Sequence, residues 1–410
     1  MSLPAVSVII VSRGRAPALR RCLIALAQLD YPMFEVVIVA DTAGIAAARS
    51  TPLGHIARLV EFDLPNISAA RNHGIAHAAG EIVAFIDDDA VPEPGWLRHL
   101  CAPFARADVA TAAGYVIGRN GISLQWGAQL VDKTARHHPI TYESDAPLIP
   151  TPPPGQTIGI VGTNCAFRTE ILRGIGGFDP AFFFYLDETD LNMRLARAGH
   201  ATAIVPLAQV HHGYAESAHR RADRMPRDLF DIGASSAVFW RKHAPEAAIP
   251  AAEAALIRTQ HRRLITQMVR GNCEPRDIAP LIASLRRGLD AGKAQRLAPL
   301  PPIAATQDAF APAAMPQAPM QVLAGRIWQA ARLRRRAADI VAAGGRVTLY
   351  LFDPSARFHR IRFRPQGYWE QSGGLFGRSQ RSDPLFRLTR FSARLARETA
   401  RVAPMRQISG

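Results

Sequence analysis

Three consecutive carboxylates, Asp87, Asp88 and Asp89, follow the apolar run IVAFI at residues 82–86. Adjacent carboxylates repel, and keeping several ionised in one place becomes favourable when a divalent cation lies between them. A hard Mg2+ or Mn2+ gripped by one or two carboxylates and completed by phosphate oxygens suits a diphosphate ligand. A second acidic group, Asp187, Glu188 and Asp190, opens an amphipathic pattern directly after the run FFFYL at 182–186. The helix macrodipole favours carboxylates at such a start, so capping accounts for one or two of them. An aromatic run before them also suits a general base beside an apolar binding wall. His211 and His212 end a strand-like segment, and imidazole is a frequent metal ligand, so one of them is expected at the acidic triplet.

These residues need elements to position them. The first half of the chain alternates short apolar runs with helical spacing, the pattern of a parallel sheet flanked by helices. Residues 6–11 read as a buried strand, 16–29 as a helix carrying Leu19, Cys22, Leu23, Leu26 and Ala27 on one face, and 36–40 as the next strand. Residues 60–62 form a weaker strand, 67–79 a helix capped by Asn66 or Ser68, and 82–86 a strong strand. The acidic triplet thus sits at a strand's C-terminal end, where loops and helix N-termini converge on ligands in open α/β sheets. The stretch PLIPTPPPG at 147–155 is a surface loop. Helices are expected at 169–175, 188–198 and 226–240, with Gly176, Gly177 and Gly199 as stops, and a strand at 201–205.

From Pro250 the character shifts to alanine-rich helices, then to a Pro- and Ala-rich linker, a basic helix near 327–342, a strand at 346–352 and a mixed apolar and basic segment at 357–364. The organisation expected is a catalytic domain over 1–245, a helical extension over 246–296, a linker over 297–320 and an Arg-rich region over 321–410.

With 48% hydrophobic and 20% charged residues, the 410-residue chain excludes the disordered and fibrous classes. Its four cysteines are far apart with no CxxC pair, which argues against a zinc cluster or disulfide scaffold and for a reducing compartment. No signal-like opening and no apolar run of about 20 residues is found, so a cytoplasmic location is expected. Residues 321–410 hold 18 Arg, no Lys and 5 acidic residues, and so carry +13 of the net +15. That basic region has two favoured readings: contact with a membrane surface, at its inner face, or an anionic glycan, and a packing appendage. A nucleic-acid patch is disfavoured because no recognised module frames the arginines.

The order of motifs resembles the family 2 glycosyltransferases. The stretches that carry the resemblance, from Val6 to Tyr214, are VSVIIVSRGR, EVVIVAD, ISAARNHGIAHAAGEIVAFIDDDAVPEPGWL, VGTNCAFR with GGFDPAF, LDETDLNMRLARAGH and PLAQVHHG. The resemblance implies a GT-A fold, a Rossmann-like, mostly parallel sheet flanked by helices, here with a helical and basic C-terminal extension. It implies an inverting transfer of a sugar from a nucleotide-diphosphate donor to a glycan or glycolipid acceptor, with Mg2+ or Mn2+ as cofactor, in polysaccharide or glycolipid synthesis. Ser12 and Asp41 would border the nucleobase and ribose, Arg71 would lie near the donor, and Asp87, Asp88 and Asp89 would form the acidic element gripping donor and metal. His212 matches the family's histidine and would be a metal ligand beside Asp89. The base would align with Glu188, or with Asp187, because the acidic pair is inverted relative to the usual order. Trp126 and Asp190 would contact the acceptor. The loop VSRGR departs from the common pattern and leaves base specificity open. Rival readings are a nucleotidyltransferase, which lacks its Gly-rich phosphate loop near Val11, a dehydrogenase, which lacks GxGxxG, and a non-catalytic glycan- or lipid-binding protein.

Overall fold

The structure, a computed structural model, describes residues 3–213, 216, 220, 221, 223–313, 315 and 318–408. Tyr214, where the resemblance ends, lies outside them. The chain opens β1 Val6–Ser12, α1 Ala16–Leu26, β2 Phe34–Ala40, α2 Thr42–Arg49, β3 Arg58–Glu61, α3 Ile67–His77 and β4 Ile82–Asp87. All four strands pair in parallel in the order β3-β2-β1-β4. Every residue of β2 is buried, because helices cover both faces, and this is why these strands read as unbroken apolar runs. Val6, Val8 and Ile10 pack into one core with α1, whereas Ile9, Val37 and Val39 face the other.

After β4 come β5 Ala90–Pro92, α4 Trp96–Cys101, β6 Val109–Ile117 and β7 Leu124–Trp126. Then follow β8 Gln129–Asp132, β9 His137–Pro139, β10 Gln156–Ile158, β11 Asn164–Arg168, α5 Thr169–Gly174, α6 Asp187–Arg197 and β12 Ala201–His212. The main sheet continues β4-β11-β6-β12-β5, with β11 antiparallel to both neighbours and β12 parallel to β6. Strand β12 is seven residues longer than the sequence suggests, because its second half continues past Pro206 through a register shift to pair with β5. That extension carries the histidines to the sheet's C-terminal edge.

Three helices, α7 Phe230–His243, α8 Ile249–Val269 and α9 Pro275–Ala294, form a separate apolar cluster that also holds Phe182 and Leu186. The described residues between 295 and 319 form no helix or strand, yet backbone groups among them bond to elements of the main sheet and its helices. Ile303 donates its N–H to Arg173 O, and Ala313, fully buried, donates to Phe34 O.

The C-terminal region contains β13 Met320–Arg326, α10 Ala330–Ala342, β14 Arg346–Asp353, β15 Arg360–Phe363, β16 Trp369–Gly374 and α11 Phe391–Arg406. Beside the expected helix near 327–342 and strand near 346–352, it adds α11 and completes a four-stranded sheet, β13-β14-β16-β15, parallel except for β15. Helix α10 covers one face through Leu333 and Ala337, and α11 covers the other through Phe391 and Leu395.

Candidate functional site

Strand β4 delivers Asp87 at its last position, and the chain turns through Asp88 and Asp89 into β5. Antiparallel pairing of β5 with β12 places His212 opposite Ala90, so the ring reaches the preceding residue: His212 Nε2 is 3.0 Å from Asp89 Oδ1. The Gly213 N–H closes the turn on Asp89 O at 2.9 Å. Ligand atoms of Asp87, Asp89 and His212 all lie within 4.8 Å of one another. Two ligands on opposite sides of Mg2+ or Mn2+ are about 4–4.5 Å apart, so a set of two carboxylates and an imidazole spread over no more than 4.8 Å is close to what either ion needs. Both ring nitrogens of His212 face acceptor oxygens, Nδ1 toward Gln125 Oε1 at 3.1 Å and Nε2 toward Asp89. A neutral imidazole donates to one acceptor at a time, so the arrangement suits a cation shared by ring and carboxylate.

Asp88 does not join the other two. It is buried, accepts from Ser12 Oγ at 2.7 Å and pairs with Arg15 at 2.7 Å. Burial, helped by Asp89, pushes its carboxyl up to about 7 against the pull of Arg15. Ser12, expected at the nucleobase, therefore spends its hydroxyl on Asp88, and Asp88, expected at the donor, anchors the turn from below. Asp41 accepts from the Gly44 N–H as the N-cap of α2 and from the Gly14 N–H at 2.7 Å. It thereby orders the loop over 13–15, where Gly14 adopts φ +67°.

The second acidic group stands at the start of α6. Tyr185 and Leu186, just before it, both hold positive φ, an uncommon conformation for such residues that redirects the chain into the helix. Asp187 and Glu188 meet Arg71 of α3, which ion-pairs with Asp187, lies 3.2 Å from Glu188 and reaches Asp87 at 3.8 Å. Arg71 is buried, and its guanidinium also lies over Phe178 at 5.1 Å. The loop before β11 ties the two carboxylate groups together. The Gly162 N–H donates to Glu188 Oε1 at 2.7 Å and Thr163 Oγ1 donates to Asp87 Oδ2 at 2.5 Å. A Cβ at Gly162 would collide with Arg71 and Glu188. Burial, with the neighbouring charge of Glu188, raises Asp187 well above the carboxylate range. Burial acts on Glu188 too, but Arg71 and the Gly162 N–H outweigh it and lower its pKa. Of the pair, Glu188 is the ionised and more open member, with its side chain 18% exposed against 3% for Asp187.

Asp190 is drawn elsewhere. It is fully buried and held by Arg194 at 2.9 Å, Lys242 at 2.6 Å and His243 at 2.8 Å. Those partners belong to α6 and α7, so the expected acceptor contact is an ionic joint between helices. Trp126 lies half-buried on β7, edge-on to His137 at 5.2 Å, with its Nε1 donating to Gly159 O at 3.4 Å. A cavity of about 490 Å³ lies at the other end of α6, between the proline-rich loop and residues such as Arg197 and His200, away from Glu188.

The sequence reading missed Arg15, Gly162, Thr163 and Glu93. All four lie in quoted stretches, but nothing in their spacing reveals which partner each would meet. Glu93, buried just after β5, accepts from His211 at 2.8 Å and from Arg406, 313 positions away, at 2.7 and 2.8 Å.

Residues 7–176 match the model of the family described as Glycosyl transferase family 2. The match stops short of α6 and His212. The chain is 29% identical over 215 residues to a Pre-mycofactocin glycosyltransferase of Mycobacterium tuberculosis, covering 51% of this chain and 43% of that protein. It is 34% identical over 122 residues to Glycosyltransferase AglE of Haloferax volcanii, covering 28% of this chain and 40% of that protein. The matched part thus spans less than half the length of these relatives. A structure of GalNAc-T7 with UDP, GalNAc and Mn2+ aligns with a TM-score of 0.48 at 16% identity, over 62% of this chain and 52% of that one. The carboxylates at the end of β4 lie inside the matched segment, so the similarity to glycosyl transferase family 2 includes them.

Proposed function

We propose that the chain is a metal-dependent, inverting glycosyltransferase acting on a nucleotide-diphosphate sugar, with its catalytic domain in residues 1–245. The observation that carries this reading is the convergence of Asp87, Asp89 and His212 beside Arg71 and the Asp187–Glu188 pair. Asp87, Asp89 and His212 would hold Mg2+ or Mn2+, which when bound would stabilise the charge on the departing diphosphate. Arg71 sets the protonation pattern across the gap: its charge keeps Glu188 ionised while burial leaves Asp187 the readier of the two to hold a proton. Glu188 would take the acceptor hydroxyl's proton as that oxygen attacks the anomeric carbon, and direct displacement inverts the centre. The N–H of Gly162 and the Arg71 guanidinium orient the Glu188 carboxylate. A glycan or glycolipid acceptor follows from the family, and Trp126 offers an aromatic face for it.

The test is binding and turnover across UDP-, GDP- and dTDP-sugars with Mn2+ or Mg2+, comparing the native chain with Asp89→Ala. Metal-dependent binding of one donor, lost in the variant, is the expected result. Absence of nucleotide binding with either metal would overturn the reading.

A further inference from the structure

The parallel strands β13, β14 and β16 of the C-terminal sheet end side by side, and the chain leaving them carries unusually exposed apolar side chains. Trp328, just past β13, is 70% exposed, Phe358, past β14, 62%, and Leu388, in the segment entering α11, 79%; Leu385 and Phe386 are exposed as well. These segments touch. Phe376, past β16, stacks on Phe386 at 5.4 Å, and Arg387 donates its N–H to Phe376 O. Arg378 lies over Phe358 at 5.8 Å, its carbonyl accepting from the His359 N–H, and Arg326 lies over Phe391 at 4.8 Å. A water-facing edge that leaves this much apolar surface uncovered marks an interaction site.

Charge says what would cover it. From Pro384 to Arg397 the sequence holds Arg387, Arg390, Arg394 and Arg397 and no acidic residue. The acidic residues nearby are already engaged: Glu398 with Arg394 and Arg401, Asp353 with Arg357, and Asp383 with the Ser379 hydroxyl and, at 4.0 Å, with Arg397. Arg381, Arg387 and Arg390 are exposed among the apolar residues. Aromatic and leucine side chains interleaved with arginines suit the interface of an anionic bilayer, where rings enter the acyl boundary and guanidinium groups meet lipid phosphates. A protein partner would need its own acidic groove, and a soluble polyanion would leave the leucines in water. No helix among the described residues is long and apolar enough to cross a membrane, so contact would be at the surface.

We propose that this edge, built from Trp328, Phe358, Leu385, Phe386, Leu388 and the arginines between them, docks the protein on anionic lipid. The inference stands independently of the transfer reaction. The test is co-sedimentation of the full chain with vesicles of phosphatidylcholine alone or mixed with phosphatidylglycerol. Its second readout is quenching of tryptophan fluorescence by bromine-labelled lipid. Expected are binding to the anionic vesicles only, a loss of at least about tenfold in Arg387→Glu/Arg390→Glu and in Leu385→Ser/Phe386→Ser/Leu388→Ser, and quenching that disappears in Trp328→Phe. These positions are exposed, so unchanged melting curves would show the variants folded. No binding to anionic vesicles, or binding to a soluble anionic polysaccharide that the serine variant retains in full, would overturn the proposal.

Discussion

Arg71 lies buried among Asp87, Asp187 and Glu188, one cation facing three carboxylates from β4 and α6. Removing it leaves like charges unpaired in a desolvated place. Arg71→Ala is expected to cost about 3–5 kcal/mol of stability by denaturant unfolding, and Arg71→Lys to recover only part of it because a single ammonium cannot span the three groups. Between the two candidate bases, Glu188→Gln should lower kcat by roughly 10²–10⁴ with donor affinity retained, and Asp187→Asn by much less. The reverse order in steady-state kinetics would move the base to Asp187. Thr163→Val, which removes a hydrogen bond to Asp87 while leaving every proposed metal ligand in place, should weaken Mn2+ binding about 10–100-fold by titration calorimetry.

The short strand β5 controls the site at the scale of elements. Its pairing with β12 sets His212 against Asp89, and the chain just beyond β5 is fixed by Glu93 between His211 and Arg406. Arg406 also lies over Trp369 at 4.3 Å, Trp369 meets His211 at 4.7 Å, and the Gly95 N–H donates to Met405 O at 2.7 Å. The end of α11 thus clamps the turn that presents Asp87 and Asp89. Breaking this buried pair with Arg406→Ala should destabilise the chain by about 3–5 kcal/mol. Burial alone would raise Glu93, but Arg406 and His211 overcome it and lower the carboxyl to about 2. A depressed carboxyl stabilises the fold above its ordinary value near 4.5 and loses that contribution as pH falls toward about 2. Melting temperatures of the native chain and Glu93→Gln, well separated at pH 6, should therefore converge as pH falls through that window; a constant gap would show that the pair does not carry the effect.

Across the whole molecule, the C-terminal sheet is a packed unit seated on the domain that carries the acidic residues. Trp369, Phe363 and Ile361 bury against Val91 and Ala25, Gln28 donates to Gly367 O at 2.5 Å, and the Ile361 N–H donates to Asn120 O at 2.9 Å. Within it His359 is buried beside Arg394, and burial together with that charge lowers its pKa from 6.5 to about 4. The folded unit keeps this histidine neutral while the unfolded chain protonates it. Its contribution is therefore complete above pH 6.5 and is lost as pH falls toward about 4, on the order of 3 kcal/mol at ~1.4 kcal/mol per unit. Unfolding of the native chain should lose stability across that range more steeply than His359→Gln does; parallel slopes would exclude His359 as the cause.

Local sequence determined much of this. A β-run that is apolar on both faces can only be a doubly covered strand, so β1, β2 and β4 and the placing of Asp87 at a strand end were readable. A cap for α3 at Asn66 or Ser68, which the structure puts at Asn66, and the glycine stops after α5 and α6 were readable for the same reason, since their causes lie within a few residues. Partnership across the chain was not. Asp88 and Asp89 are neighbours of one type, and only the approach of Ser12, Arg15 and β12 turns one inward and leaves the other beside His212. Asp190 and Glu188 share a helical turn, yet α7 claims the first with Lys242 and His243 while the loop before β11 claims the second. The arginines of the tail read as a uniform charge. Their division into buried clamps such as Arg406 and exposed ones such as Arg387 is fixed by which face of the second sheet each reaches, and that depends on strands paired across the fold, which no local pattern encodes.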